Sequence, residues 1–329
     1  MCIYIHTMKF LILKTTNPNI NLATEEYLFT HCDDDIFMLW QNEPTVVIGK
    51  NQNAFTELNM DYIRNNNIHI VRRITGGGAV YHDLGNVNYT FISRKKGSEG
   101  INFEYFTKPI IEALSSLGLS AELSGRNDIL IDGKKVSGNA QHTSEKRVLH
   151  HGTLLFDSDL SILSDALKVD EEKIKAKAIK SVRSRVTNIK EYLKELDVHG
   201  FISLIEKFLK QKYDPELITA PTEKEISALF NKYISKEWVF PDSDYISAYT
   251  LTKKRRYPFG TVEMRIEMKN DLIRKIKIYG DFFGVKDTEE LLDYLENTSI
   301  NMLENKLSNI SIGDYIFGMT NEDFVKHIK

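Results

Sequence analysis

An apolar run, Ile68-His69-Ile70-Val71, delivers two arginines, Arg72 and Arg73, into a segment that reads Ile74-Thr75-Gly76-Gly77-Gly78-Ala79-Val80-Tyr81-His82-Asp83. An extended stretch of this kind ends in a loop at its glycines. Three of them in succession leave the backbone bare enough for another group to approach its N–H groups. N–H groups turned inward make an anion-binding nest. Arginine beside such a nest suits a phosphate or a carboxylate, which it meets through paired hydrogen bonds. The segment reads either as a ligand loop for a small anion or as a tight turn between strands.

Two familiar phosphate loops do not fit. A P-loop requires Lys-Ser or Lys-Thr after its last glycine, where this chain has Ala79-Val80. The dinucleotide fingerprint requires a glycine where Tyr81 stands.

At 329 residues the chain has room for one large domain and a smaller one. Its net charge of −3 makes no bulk-charge case for nucleic acid or a membrane surface as partner. Two cysteines, Cys2 and Cys32, cannot build a disulfide framework, which fits a reducing, cytoplasmic setting. No apolar run approaches membrane-spanning length. Residues 1–7 lack the basic start and long apolar core of a signal peptide and read as an extension before Met8.

Strand-like and helix-like segments alternate irregularly, which predicts an α+β fold. Lys9 to Leu13 opens a first strand, and Asn21 is expected to cap a helix through Glu25 and Glu26 to Phe29. Ile36 to Trp40 and Thr45 to Ile48 are expected strands around Asn42-Glu43-Pro44. Phe106, Ile110, Leu114 and Leu117 share one helical face, with Gly118 as the stop and Pro109 in the first turn or at a kink. Asp128 to Ile131, Asp132-Gly133 and Lys135-Val136 predict a hairpin with a type I′ turn. His151 to Phe156 reads as a strand, and Asp170 to Lys180 and Val198 to Lys212 read as helices.

A boundary is expected at Phe240-Pro241-Asp242-Ser243, which gives a main domain over 1–241 and an accessory domain over 242–329. In the latter, Val262, Met264, Ile266 and Met268 alternate with Glu263, Arg265 and Glu267. That pattern predicts a hairpin with one buried and one wet face, covered by a helix over Thr288 to Leu295 and another near the end.

Lys134 and Lys135 are separated by alternation. If Ile129 and Ile131 mark the inner face, a bulge-free hairpin puts Lys135 on that face and Lys134 outside. Taken alone, a lysine in a hairpin is usually a solvated side chain, and that is the reading of either one by itself. His150 and His151 are adjacent on a strand and so point to opposite faces; they cannot hold one metal together. One of them is expected to be an ordinary core or surface residue, and the other either lines a pocket or is equally ordinary. No zinc-site spacing and no nucleophile elbow occurs, and neither cysteine has a catalytic-looking context. The basic run Lys173, Lys175, Lys177, Lys180, Arg183, Arg185 contains no aromatic residue and fits a solvated helix followed by an anion-contacting loop.

Taken in order, these segments resemble the lipoate–protein ligase A family. The matching stretches are Arg72-Arg73-x-x-Gly76-Gly77-Gly78-Ala79-Val80-Tyr81-His82-Asp83-x-Gly85-Asn86, Gly125-Arg126-Asn127-Asp128, and Lys135-Val136-Ser137-Gly138-Asn139-Ala140. His150-His151-Gly152-Thr153-Leu154-Leu155 and Lys180 to Asn188 follow, Asn21 to Glu26 fits the first helix, and Arg256 to Glu263 resembles the accessory domain of the long bacterial ligases.

The resemblance implies a mixed-sheet α+β catalytic domain of the biotin ligase and class II synthetase type, with a small α+β C-terminal domain. It implies that ATP with Mg²⁺ activates lipoate to lipoyl-AMP. The lipoyl group then passes to a lysine of a lipoyl domain, in a 2-oxoacid dehydrogenase or a glycine-cleavage H protein. By the motif match, Lys135 is the catalytic residue, touching carboxyl and phosphate oxygens. Arg73 and the run Gly76, Gly77, Gly78, Ala79, Val80 and Tyr81 wrap the adenylate, and Arg126 and Thr153 contact it. Arg72, His82, Asp83, Asn86 and Asp128 belong to the same motifs, His151 lines the site, and the segment around Lys177 and Ala178 closes over the adenosine. Magnesium is expected to arrive with ATP rather than in a protein-only cage, and the chain is expected to act as a monomer. The small domain is expected to move between the two steps. The rivals are a lipoyl or octanoyl transferase of the same superfamily, a biotin ligase, and a non-catalytic protein that binds lipoate or a lipoyl domain. A cysteine-dependent transferase is disfavoured because Cys2 and Cys32 lie outside the motifs. A biotin ligase is disfavoured because its Gly-Arg-Gly-Arg type of loop is absent.

Overall fold

The computed structural model describes residues 8–95, 100–168, 185–241 and 249–329. An eight-stranded mixed sheet organises the larger part. Its members are β1 (Lys9–Ile12), β2 (Ile36–Trp40), β6 (Asn86–Arg94), β7 (Ala121–Ser124), β8 (Asp128–Ile131), β9 (Lys134–Thr143), β10 (Arg147–Leu155) and β11 (Glu216–Leu217). They lie in the order β11-β1-β2-β6-β10-β9-β8-β7. A second sheet, β4-β3-β5, is built from β3 (Thr45–Ile48), β4 (His69–Arg72) and β5 (Val80–His82).

The burial of β2 explains its sequence. All five residues of Ile36-Phe37-Met38-Leu39-Trp40 are buried, so the strand is apolar throughout instead of alternating. Phe37 and Leu39 pack with Phe10 against Ile110 and Leu114 of α4 (Phe103–Ser116) and Phe201 and Ile205 of α6 (Val198–Tyr213). Met38 and Trp40 face the opposite way, with Leu22 and Phe29 of α1 (Pro18–His31) and Tyr233 of α7 (Glu223–Ile234).

Several local expectations need correction. Helix α1 begins earlier than Asn21: Asn17 caps it by accepting from the N–H groups of Asn19 and Ile20, with Pro18 at the first helical position. Asn21 is inside the helix and fully buried, where its Nδ2 donates to the carbonyls of Thr15 and Gln41 and to Asn42 Oδ1. Pro109 lies well inside α4, beyond its first turn, which removes the first of its two expected placements and leaves the second. The Asp132-Gly133 turn does have positive φ at both residues, 50° and 72°, as type I′ requires. The hairpin is not bulge-free, however, because its register shifts between Ile129 and Leu130. Ile129, Ile131 and Val136 form the core face, and Lys135 stands with Asp128 on the other face. The expectation that Lys135 shares a face with Ile129 is wrong because Lys135 pairs with Leu130, on the turn side of the register shift, and cross-strand partners share a face.

The C-terminal part holds a three-stranded antiparallel sheet of β12 (Leu251–Tyr257), β13 (Gly260–Lys269) and β14 (Leu272–Gly280). Helix α9 (Thr288–Leu295) and a last helix, Asn321–Ile328, cover its apolar face. Strand β12 has no signature in the sequence pattern, since Lys253-Lys254-Arg255-Arg256 carries no apolar alternation and lies on a sheet edge. The face expected to be wet is partly closed: Glu263 and Arg265 are buried and paired at 2.7 Å. Asp170 to Lys180 and the basic run from Lys173 to Arg183 lie outside the described residues, as do residues 242–248 just after the expected 241/242 boundary.

Candidate active site

Five strands of the large sheet contribute one residue each to the floor of a cavity of about 260 Å³. Trp40 on β2 is opposite Asn88 on β6, Asn88 is opposite Thr153 on β10, and Asp128 on β8 is opposite Gly138 on β9. The Gly138 N–H donates to Thr153 Oγ1 at 3.1 Å and closes the row. Neighbouring strands lie about 4.8 Å apart, so four steps make a floor roughly 19 Å long. The two ends differ chemically. Leu22, Val47 and Val80 surround Trp40, whereas Arg126 and Lys135 accompany Asp128. A second cavity of about 400 Å³ between the two domains is lined by Lys50, His142 and Asp287 and includes none of these floor residues.

Lys135 is about a third exposed and reaches Asp128 Oδ1 at 2.7 Å. Its side chain lies across Gly138: a Cβ there would sit 3.1 Å from Lys135 Nζ. The backbone of Lys135 is held by the chain that returns at Arg185, through Lys135 N to Arg185 O at 2.6 Å and Thr187 N to Lys135 O at 2.9 Å. Lys177 and Ala178 lie outside the described residues.

The structure corrects the idea that both guanidiniums face an anion. Arg72 is buried, away from the cavity, and donates to five backbone carbonyls. They belong to Gly49, Lys50, Gln52, Trp238 and Val239, at 2.7 to 3.0 Å. Arg73 borders the cavity, but it donates to Val47 O, Gly76 O, Gly78 O and Thr75 Oγ1. It holds the glycine loop in shape from beneath. Burial draws its pKa down to about 10, so it keeps its charge near neutral pH.

The glycines are also used differently from expectation. A Cβ on Gly76 would stand 2.3 Å from Phe282 O. Gly77, at φ +93°, donates its N–H to that carbonyl at 3.2 Å, and a Cβ there would meet Arg73 Nη2 at 2.9 Å and the Phe283 ring at 3.1 Å. Their bareness thus admits the C-terminal domain. Gly78 alone of the three has room beside it, its nearest neighbour being 3.9 Å away, and with Ala79 and Val80 it forms the cavity wall. Tyr81 alternates away from the cavity into the cluster of Val46, Ile48 and Leu58, where burial pushes its hydroxyl up to about 12. Asp83 accepts from Gly85 N and Asp159 N and shapes a turn, and buried Asn86 donates to Asn88 Oδ1. Neither lines the cavity. Arg126 donates to Phe259 O and, at 3.5 Å, to Asp281 O, and it lies 4.6 Å over the Phe283 ring. Its end of the cavity is therefore capped by the accessory domain.

The two adjacent histidines divide as the strand requires. His150 is buried and stacks on Phe106 at 5.1 Å, and burial holds it well below the ordinary imidazole range. His151 lines the cavity, its Nδ1 3.0 and 3.1 Å from the two oxygens of Glu25 and its Nε2 2.9 Å from Thr75 Oγ1. Glu25 also accepts from Thr90 Oγ1 at 2.6 Å, and Thr90 accepts from Trp40 Nε1 at 2.9 Å. One chain of hydrogen bonds therefore runs from Trp40 through Glu25, His151 and Thr75 to Arg73. Sequence reasoning gives no part to Thr75, Thr90 or Trp40. The buried Glu25, on a helix remote from the glycine loop in sequence, carries no local signal of its partner.

His82 and His142 are kept neutral, burial drawing them down to about 3 and about 4. In the unfolded chain both titrate near 6.5, so on acidification the unfolded state takes the protons first. We predict that stability falls as pH drops below about 6.5, by about 1.4 kcal/mol per pH unit for each of the two, until their folded values are passed. Urea midpoints at about pH 7 and about pH 4.5 measure this, and equal midpoints would contradict it.

Comparison with known proteins is consistent with this architecture. Residues 17–210 match the lipoyl protein ligase A/B catalytic domain, and residues 247–328 match the bacterial lipoate protein ligase C-terminus. The chain is 40% identical over 322 residues to lipoate-protein ligase LplJ of Bacillus subtilis, covering 94% of this chain and 96% of that one. Its fold is similar to that of Plasmodium falciparum LipL1, solved with lipoate, at a TM-score of 0.79, 24% identity and 98% of each chain. A Thermoplasma acidophilum bipartite lipoate protein ligase, described with its E2 lipoyl domain, is 30% identical with a TM-score of 0.64 over 71% of this chain and 96% of that one. A lipoate-protein ligase A bound with ATP is 27% identical with a TM-score of 0.60 over 71% of this chain and 98% of that one. With both family models matched in order, the chain belongs to the lipoate–protein ligases, in the form that carries the C-terminal domain.

Proposed function

We propose that this ligase carries out both of its half-reactions along the floor from Trp40 to Asp128, with the lipoyl tail at the apolar end and the reacting carboxylate near Lys135. The observation that carries this reading is the change from an apolar to a cationic lining along one row of register-paired residues. Lipoate, as a carboxylate, is already a nucleophile at neutral pH and needs no general base. Its repulsion from the α-phosphate of ATP must be screened instead. The Lys135 ammonium, lying across the bare Gly138, reaches oxygens of both reactants and stabilises the charge that builds between them. The carboxylate oxygen bonds to the α-phosphorus as the bond to pyrophosphate breaks. In the second step the neutral amine of an acceptor lysine, on a lipoyl domain, attacks the acyl carbon and AMP leaves. Proximity to the mixed anhydride supplies much of that rate.

The donor set suits magnesium that arrives with ATP. Among the described residues no cluster of three potential ligands occurs, and Asp128 is the one carboxylate lining the cavity. Magnesium is commonly held by one or two carboxylates together with substrate phosphates. Asp128 would hold it here, and the ion would neutralise charge on the leaving pyrophosphate. Cys32 caps the end of α1 outside the cavity, which favours ligase chemistry over transfer through a cysteine thioester.

The main domain, 1–241, would supply the chemistry, and the accessory domain, 242–329, would act as its lid. Phe259, Phe282 and Phe283 occupy Arg126 and Gly77, which the adenylate would also need. We therefore expect the C-terminal domain to shift once lipoyl-AMP forms. Identical X-ray scattering curves with and without the adenylate would end this idea.

A Gly77→Val change should strain a positive φ and displace both Arg73 and Phe283, weakening lipoate binding at least about tenfold. Calorimetric titration measures this, and unchanged affinity would count against it. The direct test of the function is lipoate-dependent release of pyrophosphate and AMP with a purified acceptor domain. Without that release the assignment fails.

A further inference from the structure

Two polar atoms on residues that line the cavity near Trp40, His82 Nε2 and Asn88 Nδ2, have no hydrogen-bond partner among the described residues and no task in the mechanism above. His82 is 4% exposed, and its Nε2 has no hydrogen-bond partner among the described residues. The ring's other nitrogen fixes which atom carries the hydrogen. Asn42 Nδ2 lies 3.1 Å from His82 Nδ1, and because that amide nitrogen donates, Nδ1 must accept. In the neutral ring the hydrogen is then on Nε2. Asn42 is itself held in place by Asn21 Nδ2, which donates to its Oδ1 at 2.9 Å.

His82 lines the cavity beside Trp40, their rings meeting edge to face at 6.2 Å, and beside Val47 and Val80 of the small sheet. It lies at the opposite end of the floor from Lys135 and Asp128. A buried donor left without a partner calls for an explanation, and a site built around one discriminates against ligands that cannot accept from it.

We propose that His82 is a specificity-determining residue whose Nε2–H donates to a ring sulfur of the dithiolane at the end of the lipoyl chain. Sulfur is a weak acceptor, suited to a donor in apolar surroundings where stronger acceptors are expelled. A hydrocarbon ring of the same shape fills the same space and leaves the N–H unpaired. This inference rests on the tail orientation proposed above and adds to it a reason for preferring a dithiolane over an all-carbon chain.

The test compares lipoate with cyclopentylpentanoate, in which methylene groups replace both sulfurs, as substrates for ATP-dependent pyrophosphate release by the full chain. We expect the wild-type preference for lipoate in kcat/KM to fall about fivefold in His82→Phe, mainly through KM for lipoate. His82→Gln, which restores an N–H donor, should recover part of the preference. A preference unchanged in both variants overturns the proposal. So does an equal loss on both substrates, which would place His82 at the carboxylate or in the scaffold. If the wild-type enzyme releases pyrophosphate with neither acid, the ligase reading itself has failed; a wild-type enzyme active on both acids without preference overturns this proposal alone.

Discussion

Replacing Lys135 with alanine is expected to lower lipoate-dependent pyrophosphate release by about 10²–10³ or more while leaving the fold intact. The chemical reason is that two anions must meet. Lipoate is a carboxylate and ATP carries its charge on phosphates, so a preorganised cation at the point of contact lowers the barrier directly. The structural reason is that Lys135 is about a third exposed, stands on the face opposite Ile129 and Val136, and pairs, among the described residues, with a similarly exposed Asp128. Little packing is lost with it. The measurements are pyrophosphate release and the thermal midpoint of the same preparation. A variant with near-normal pyrophosphate release would remove Lys135 from the chemistry, and one that fails to fold would show that the side chain is structural. Supplying the lipoyl-adenylate ready-made should recover part of the transfer to the acceptor, because the step in which two anions meet is then bypassed.

The second large effect is on stability. Arg72→Met should destabilise the protein by about 4 kcal/mol or more, although Arg72 belongs to the same motif as the glycine loop. Its guanidinium ties the turn at Gly49, Lys50 and Gln52 to the chain at Trp238 and Val239. Methionine fills much of the volume but donates no hydrogen bond. Buried carbonyls left without donors cost about 1–3 kcal/mol each before relaxation, so partial repair still leaves a large deficit. Denaturant unfolding measures the effect, and a loss below about 1 kcal/mol would show that the carbonyls find other donors. At any temperature where the variant remains folded, its KM for lipoate should change far less than that of a Gly77 variant, because Arg72 does not reach the cavity.

Features set by local geometry are legible in the sequence. The Asp132-Gly133 turn, the strand Ile36–Trp40 and the helix Thr288–Leu295 follow from positive-φ turn residues, continuous apolar character and amphipathic spacing within a few residues. The opposed faces of His150 and His151 follow from the pleat. Sequence reasoning fails where a distant partner overrides the local preference. Asn21 looks like a cap, but a buried side chain with acceptors at Thr15, Gln41 and Asn42 is more useful inside the helix. Lys135 pairs with Leu130 across the Asp132-Gly133 turn, and cross-strand partners share a face, so it stands with Asp128 and away from Ile129 and Ile131; alternation read along one strand alone misses this.

The order and spacing of its motifs single out a lysine, a glycine loop and a strand histidine, and the fold brings all three to one cavity. Those spacings are dictated by turns and strands, whose geometry is local. What each group does there was decided by tertiary structure. Arg72 finds its carbonyls up to 167 residues away, and His151 finds Glu25 at a separation of 126. Gly76 is bare for Phe282 of the C-terminal domain. A charged or bare group takes its role from whichever partner satisfies it in the folded state, and burial makes that choice once distant segments have been brought together.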